Sequence, residues 1–241
     1  LLANLQRVQD RQGLEESSVL YDDSLDFDIE METGTGKTYV YLRTIFELAE
    51  QYSFKKFVIL VPSVAIREGV KASIDLMKRH LASLYPSQPF DSFDFKGKDP
   101  AQVQSFATST SLQIMVLTID ALRGDNRIIH QPRDTMPGGF APIDFLAATR
   151  PVVIMDEPQN MDTQLAKAAI SSLKPLCTLR YSATHKTKRN VVYRLDPVEA
   201  HELGLVKSIT VSEIGEQGAD VTPYIRLMSV KSEPTWSVRV E

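Results

Sequence analysis

The sequence has 241 residues, of which 43% are hydrophobic and 24% are charged. These proportions are typical of a globular protein and exclude an intrinsically disordered or low-complexity chain. Its 27 basic and 31 acidic residues give a formal net charge of -4, which excludes the overall positive charge that attracts small basic domains to nucleic acid. Any contact with nucleic acid must therefore come from a local patch.

A single cysteine, Cys177, excludes a disulfide within the chain and fits a reducing compartment. No apolar run approaches the ~18 to 20 residues that a membrane-spanning helix needs, and the N-terminus lacks the pattern of a secretory signal. The sequence therefore predicts a cytoplasmic protein without a membrane partner. Because the chain begins on Leu1 rather than on a methionine, we expect it to be a piece of a longer protein.

Apolar segments with the length of strands alternate with segments that have helical periodicity. The predicted strands cover residues 25–31, 56–63, 112–120, 151–158 and 176–184, and the predicted helices cover 37–52, 63–84 and 162–173. All these strands except the first are continuous apolar runs, which is typical of strands that are covered on both faces. The alternation predicts an α/β fold with a mostly parallel sheet flanked by helices.

Three parts of the chain depart from this regular pattern. In the first strand, apolar residues alternate with Asp26, Asp28 and Glu30, so this strand either lies nearer an edge or pairs its acids with basic neighbours. Residues 124–143 contain three prolines and three glycines and are predicted to form a long loop or insertion. Beyond residue 195, short strand-like segments follow one another without helices. The predicted organisation is a flanking segment at 1–24, a main domain at 25–195 and a linker or start of a further domain at 196–241.

The stretch METGTGKT, residues 31–38, joins the first predicted strand to the first predicted helix. It matches the phosphate-loop pattern G-x-x-x-x-G-K-[ST], except that Met31 replaces the outer glycine. Gly34 and Gly36 let the backbone approach a phosphate, Lys37 adds a positive charge, and Thr38 is placed to bind Mg²⁺. The N-terminus of the helix adds its partial positive charge. The stretch therefore predicts a nucleotide-phosphate site.

An acidic pair follows another predicted strand, in VVIMDEP. Hydrolysis of a nucleotide needs one carboxylate that holds Mg²⁺ and a second group that orients or deprotonates the attacking water. Asp156 is placed for the first role and Glu157 for the second. An Asp-Glu pair alone could equally cap a strand, but together with the phosphate loop it predicts a site that hydrolyses a nucleotide phosphate.

Four segments, TGTGKT, VPSVAIREGV, DEPQ and YSATH, resemble motifs I, Ia, II and III of superfamily 2 helicases and translocases, in that order. From about residue 27 to 210 the chain more closely resembles the Res subunit of type III restriction-modification enzymes, with METGTGKTYVYLRT, DEPQ and RYSATH as its most specific phrases. The resemblance implies a RecA-like P-loop NTPase domain with a short β-rich C-terminal extension. It implies ATP and Mg²⁺ as cofactors.

The resemblance gives a role to each matching residue. Nucleotide binding falls to the whole phosphate loop, namely Thr33, Gly34, Thr35, Gly36, Lys37 and Thr38. Catalysis falls to Lys37, Asp156, Glu157 and Gln159, with Thr38 and Asp156 on the metal. Ser182 and Thr184 would couple hydrolysis to movement. Contacts with DNA phosphates, which are independent of base sequence, fall to Pro62, Ser63, Arg67 and Thr118.

Simpler interpretations of some of these residues remain open. Arg67 and Lys71 could belong to an ordinary solvated helix face, and HKTKR at 185–189 could be a solvated loop rather than part of a DNA path. Ser182 and Thr184 could merely form hydrogen bonds with their own backbone.

The implied function is that of an ATP-driven motor domain in a type III restriction endonuclease subunit, which couples Mg·ATP hydrolysis to translocation or switching on double-stranded DNA. The implied partners are a modification (methyltransferase) subunit and a second RecA-like domain whose arginines complete the site. The sequence shows neither that domain nor a nuclease constellation, so the isolated chain is predicted to be weakly active and not a nuclease. Two alternatives remain: a superfamily 2 helicase or translocase of another DNA or RNA pathway, and an ATP-gated nucleic-acid-binding module without motor activity.

Overall fold

The structure is a computed structural model that describes residues 1–21, 25–95, 99–124, 126–132, 136–207, 227–231 and 237–240. The chain divides into two compact units, Leu1–Val206 and Lys207–Glu241. The described part of the first unit contains a sheet of seven strands: β1 (Asp26–Met31), β2 (Lys56–Val61), β3 (Phe90–Asp94), β4 (Leu112–Thr118), β5 (Val152–Asp156), β6 (Cys177–Ser182) and β7 (Val191–Leu195). Their order across the sheet is β3-β4-β2-β5-β6-β1-β7, and each described pairing is parallel.

Helices supply most of the crossovers that parallel strands require. They are α1 (Leu2–Arg11), α2 (Lys37–Tyr52), α3 (Val64–Leu84), α4 (Pro100–Thr108), α5 (Ile119–Leu122), α6 (Pro142–Thr149), α7 (Gln164–Ser172) and α8 (Pro197–Glu202). Side-chain caps fix where two of them begin, because the hydroxyl oxygen of Ser63 accepts the N–H of Ile66 and that of Thr163 accepts the N–H of Ala166. Among the described residues, no helix is long and apolar enough to cross a membrane.

Apolar side chains cover both faces of the sheet. Phe57 and Ile59 of β2 belong to the core that α2 and α3 cover, whereas Val58 and Leu60 belong to the core beneath α4 to α7. Successive side chains of a strand point to opposite faces, so a central strand must be apolar at every position. This explains the continuous apolar runs that the sequence shows.

The predicted α/β fold is confirmed. Helix α2 covers the predicted residues 37–52, and the other predicted helices and strands lie within a few residues of their expected bounds. The prediction missed β3, β7 and the helices α1, α4, α5 and α6, and the sheet that was expected to be mostly parallel is parallel at every described pairing. Strands β3 and β7 are the two edges of the sheet, where FDSFD and VVYRL need no continuous apolar pattern.

The acids of β1 are paired, and the strand lies one position inside the edge. Arg180 Nη1 lies 2.9 Å from the fully buried Asp28 carboxylate, and Arg189 Nη1 lies 2.7 Å from Asp26. On the same face, Arg194 Nε donates to Glu30 at 2.6 Å. The two explanations that the sequence left open therefore both hold, because β1 is next to the edge strand β7 and its acids pair with basic neighbours.

We expect Arg180→Leu to lower the free energy of unfolding by about 3–5 kcal/mol, because it leaves the Asp28 carboxylate buried without its main counter-charge. Burial already raises the pKa of Asp28 to about 6, although the charges of Arg180 and Arg189 oppose that rise. Urea denaturation of the 241-residue chain measures the loss. As a control, Arg123→Leu removes an exposed partner of Asp120 and is expected to change little. Equal stabilities for the two variants would show that Asp28 does not depend on Arg180.

The predicted insertion and extension are only partly described. Within 124–143 the structure has single turns of 3₁₀ helix at Ile128–His130 and Pro137–Gly139, and the side chains of Ile129 and Met136 are buried. In the extension, α8 was not predicted, and the strand expected around 205–214 lies outside the described residues. The second unit contains β8 (Leu227–Lys231) and β9 (Ser237–Val240), an antiparallel pair. The boundaries 1–24, 25–195 and 196–241 stay predictions.

Candidate active site

The residues predicted for nucleotide binding and catalysis lie at the carboxyl ends of neighbouring strands. Strands β1, β6 and β5 are adjacent and parallel, so they end on the same side. β1 leads into the phosphate loop, β5 ends at Asp156 and β6 ends at Ser182. The carboxyl ends of parallel strands are the usual ligand-binding edge of an α/β sheet.

The phosphate loop turns sharply between β1 and α2. Gly34 and Gly36 have φ angles of +84° and +89°, a region that favours glycine. The hydroxyl of Thr35 donates to the backbone carbonyl of Glu32 at 2.6 Å, and the Glu32 carboxylate accepts the N–H of Thr33 at 2.8 Å. Among the described residues, no side chain caps the N-terminus of α2. Its first N–H groups are therefore available to phosphate oxygens.

We expect Gly36→Ala to weaken nucleotide binding and Gly69→Ala, in α3, to leave it unchanged. A Cβ at either position meets no atom within 4 Å, so crowding does not distinguish them. The φ of +89° at Gly36 disfavours alanine by about 1–2 kcal/mol. At Gly69, alanine favours the helix by about 0.5–1 kcal/mol. Titration with a fluorescent nucleotide and thermal melting measure both effects, and equal affinities would contradict the prediction.

Polar side chains connect the phosphate loop to the ends of β5 and β6. Lys37 Nζ lies 3.1 Å from Glu157 Oε1. Gln159 Nε2 donates to Glu157 Oε2 at 2.6 Å, and Ser182 Oγ donates to Gln159 Oε1 at 2.8 Å. Ser182 is fully buried, and its Oγ accepts the N–H of Thr184 at 3.1 Å. The structure thus joins the residues predicted for catalysis to those predicted for coupling, whose roles stay predictions.

The two carboxyl groups after β5 have different electrostatic environments. Burial and the charge of Glu157 raise the pKa of Asp156 to about 6, although Lys37 opposes the rise. Burial acts on Glu157 too, but Gln159, Lys37 and Ser182 outweigh it and hold the pKa of Glu157 below its ordinary value. Glu157 is therefore ionised and held in place, as a group that orients water must be.

Tyr41 is a site residue that the sequence analysis missed. It lies one helical turn beyond Lys37 in α2 and is fully buried. Burial and the nearby Asp156 carboxyl raise the pKa of Tyr41, and Thr38 is its other polar neighbour. Its hydroxyl forms no well-aligned hydrogen bond within the described part of the chain. The spacing of four residues from Lys37 on one helix face is the signal that could have found it.

Thr38 and Asp156 carry the oxygen ligands that Mg²⁺ prefers. Both lie beside the buried hydroxyl of Tyr41. The described residues hold no group of three or more His, Cys, Asp or Glu side chains that could bind a metal by themselves. A nucleotide-bound Mg²⁺ needs only one or two protein oxygens besides phosphates and water, so this donor set fits it.

Three of the residues predicted to contact DNA lie together, where β2 and β4 end. Val61 and Thr118 are paired in register, which puts Pro62 and Ser63 beside Thr118. Thr118 is buried, and Ser63 is partly exposed where it caps α3. Their contact with DNA stays a prediction.

Arg67, the fourth of these residues, is only 8% exposed. Its Nη2 contacts Glu68 at 2.9 Å, and its Nε lies 3.9 Å from Asp94. The interpretation of Arg67 as part of a solvated helix face is therefore wrong. Contact with a phosphate would require its guanidinium group to leave these carboxylates.

The glutamines near the N-terminus serve the fold. Gln9 Oε1 accepts the N–H of Ser17 at 2.8 Å, and its Nε2 donates to Ser17 Oγ and to the carbonyl of Val191, each at 2.9 Å. Gln6 Nε2 donates to the carbonyl of Ser17 at 2.9 Å. Both polar atoms of the Gln9 amide are thus occupied, and these contacts attach α1 to the edge strand β7.

The basic segment 185–189 is folded against the protein. Lys188 Nζ lies 3.3 Å from Glu30, and Arg189 contacts Asp26 and Asp162. The side chain of His185 is fully buried. Burial and the charge of Arg180 lower the pKa of His185 to about 4. The interpretation of 185–189 as a solvated loop is therefore wrong for His185 and Arg189, whereas Lys188 is exposed.

We expect the contribution of His185 to the free energy of unfolding to fall as the pH falls from about 6.5 towards 4. Over that range the imidazole of His185 is protonated in the unfolded chain and still neutral in the folded one, so its contribution is complete above pH 6.5 and is lost on acidification. Asp28, Glu30, Arg180 and Lys188 face the ring. The raised pKa values of Asp28 and Asp156 change stability in the opposite direction, and they do so in both proteins because His185→Leu keeps all of these groups. The free energy of unfolding of the parent should therefore fall relative to that of His185→Leu as the pH falls. Urea titrations between pH 4 and 7.5 give the comparison, and parallel curves would contradict it.

The fold and the site together define a P-loop domain, in which a phosphate loop and an acidic pair lie at the carboxyl ends of parallel strands. The family model described as type III restriction enzyme, res subunit, matches residues 5–187, and the chain belongs to this family. The resemblance to Res subunits of type III restriction-modification enzymes, which the sequence analysis found, is thereby confirmed.

Curated relatives include three Res subunits. The chain is 33% identical over 227 residues to the Type III restriction-modification enzyme StyLTI Res subunit of Salmonella typhimurium strain LT2, covering 79% of this chain and 23% of the relative. It is 29% identical to the EcoPI Res subunit of Escherichia phage P1, covering 86% of this chain and 23% of the relative. The chain thus spans about a quarter of the length of these relatives.

Solved structures with a similar fold are more distant. A nuclease-deletion mutant of the Type ISP restriction-modification enzyme LlaGI, in complex with a DNA substrate mimic, is 12% identical, with a TM-score of 0.48 over 85% of this chain and 20% of that one. A DEAD box protein from Methanococcus jannaschii is 16% identical, with a TM-score of 0.47 over 74% of this chain and 47% of that one.

Proposed function

We propose that this chain binds and hydrolyses Mg·ATP as the motor domain of a type III restriction endonuclease subunit. The observation that carries the proposal is the 3.1 Å contact between Lys37 and Glu157, because it joins a phosphate-binding lysine to a carboxylate suited to activate water. The N–H groups of the loop Thr33–Thr38 and the Lys37 ammonium bind the β- and γ-phosphates. Glu157, restrained by Gln159, orients and deprotonates the attacking water.

Thr38 and Asp156 would hold the Mg²⁺ ion. When bound, the ion neutralises charge on the phosphates. The chain's own contribution is to fix the two oxygen ligands, Thr38 at the start of α2 and Asp156 at the end of β5. The fit of this donor set to Mg²⁺ supports ATP and Mg²⁺ as the cofactors.

We propose further that hydrolysis drives translocation or switching on double-stranded DNA in the bacterial cytoplasm. Family membership supports this role. Hydrogen bonds also link Glu157 to Gln159, Gln159 to Ser182 and Ser182 to Thr184, and this network could pass a change at the nucleotide to the second RecA-like domain. The proposed partners are double-stranded DNA, the modification subunit and a second RecA-like domain of the full-length chain.

Hydrolysis assays on the full-length subunit, assembled with its modification subunit, test this function. We expect double-stranded DNA that carries the recognition site to stimulate ATP hydrolysis more than RNA does. Stimulation by RNA alone would favour a helicase of another pathway. DNA affinity that depends on ATP, without DNA-stimulated hydrolysis, would favour an ATP-gated binding module.

A further inference from the structure

The segment from β6 to β7 is tied to β1 at three successive acidic positions. Asp26 contacts Arg189 Nη1 at 2.7 Å, and Asp28 accepts the backbone N–H of the same arginine at 2.6 Å. Glu30 accepts a hydrogen bond from Arg194 Nε at 2.6 Å. β1 continues directly into the phosphate loop, so this segment is connected to the nucleotide site through charged contacts as well as through the sheet.

The same segment carries Ser182 and Thr184, which are linked to Glu157 through Gln159. A displacement of these residues that follows a change of nucleotide therefore reaches residue 185, the next position along the chain. The side chain at residue 185 is the imidazole of His185, which is buried next to Asp28 of β1.

His185 is buried without satisfying its polar atoms. Its Nδ1 lies 3.7 Å from Asp28 Oδ2, beyond the ~3.2 Å limit of an N–H···O hydrogen bond. The backbone of Ile29 is also close, yet neither ring nitrogen has a well-aligned partner among the described residues. Leaving a buried polar group unsatisfied costs about 1–3 kcal/mol, so a ring that served packing alone would be better replaced by an apolar side chain.

We propose that His185 is a positioning residue of the motor, which forms a hydrogen bond with Asp28 when Ser182 and Thr184 move in response to nucleotide and DNA. A shift of about 0.5–1 Å closes the present gap, which is the size of displacement that switches packed elements between two arrangements. Asp28 is a fixed target for the ring, because Arg180 holds its other oxygen at 2.9 Å. His185 thus links movement of the β6–β7 segment to the strand that carries the phosphate loop. This inference rests on the proposed function.

The experiment compares His185→Leu and His185→Asn in the full-length subunit with its modification subunit. Leucine fills the site without a donor, whereas the asparagine amide can offer an N–H near the position of Nδ1. His201→Leu, on the exposed surface of α8, is the matched control. The measurements are kcat and KM for ATP with and without double-stranded DNA, and the melting temperature of each protein.

We expect His185→Leu to lower DNA-stimulated kcat about tenfold or more, the usual size of coupling between linked sites, with KM and the DNA-independent rate nearly unchanged. Its melting temperature at neutral pH should not fall, because the leucine leaves no unsatisfied nitrogen. His185→Asn should recover most of the stimulated rate, and His201→Leu should match the parent.

Two results would overturn the role of His185. One is an unchanged DNA-stimulated kcat in His185→Leu; the other is a parallel loss of melting temperature and of both rates that asparagine does not rescue. In either case hydrolysis by the parent would leave the proposed function intact. A parent assembly that does not hydrolyse ATP would overturn both.

Discussion

The isolated 241-residue chain is expected to hydrolyse ATP about 10³–10⁵-fold more slowly than the full-length subunit stimulated by DNA. The proposed site lies at the carboxyl ends of the strands of one domain, and arginines that stabilise transition-state charge from a second domain can supply a rate factor of about that size. Steady-state assays on both proteins measure the ratio, and nucleotide titration separates weak binding from slow chemistry.

A Lys37→Ala variant of the isolated chain controls for contaminating hydrolases, because Lys37 is the phosphate-binding lysine of the proposed site. Robust turnover by the isolated chain that this substitution abolishes would contradict the prediction. It would show that the residues at the ends of β1, β5 and β6 suffice for catalysis.

Glu157→Gln is expected to reduce ATP hydrolysis by the full-length subunit about 10²–10⁴-fold, the usual contribution of a general base, with little loss of nucleotide affinity. Glutamine has the same shape and keeps one oxygen acceptor for Gln159, but it cannot take a proton from water. Single-turnover hydrolysis and nucleotide titration measure the two effects separately.

Glu202→Gln, at an exposed position of α8, is the matched control and should behave as the parent. If Glu157→Gln hydrolysed ATP at the parental rate, another group would have to activate the water. If nucleotide binding and hydrolysis fell together, Glu157 would act in binding rather than in the chemical step.

The sequence predicted those features that local chemistry determines. Gly36 indicates the turn, because a left-handed backbone favours glycine. Lys37 directly after it, at the start of a helix, indicates the phosphate site. The central strand β2 was found from its apolar run, and Asp156 from its place after such a run. In each case the information lies within about ten residues.

Features that depend on the order of strands escaped prediction. The partners of Asp28 come from β6 and from the segment after it, and only the position of β1 between β6 and β7 brings them together. The burial of Arg67 depends on Asp94 of β3, an edge strand that the sequence did not reveal. Tyr41 resembles any apolar residue of an amphipathic helix until the end of β5 is placed beside it.

In the proposed motor, the contact between Lys37 and Glu157 means that a bound nucleotide replaces a carboxylate as the partner of the lysine. An arriving triphosphate competes with Glu157 for the lysine ammonium, so the carboxylate loses the neighbour that, with Gln159 and Ser182, holds its pKa low. Its basicity then rises at the moment when a γ-phosphate is present to be attacked. In the proposed motor, the lysine that receives the phosphates is therefore also one of the residues that set the basicity of Glu157.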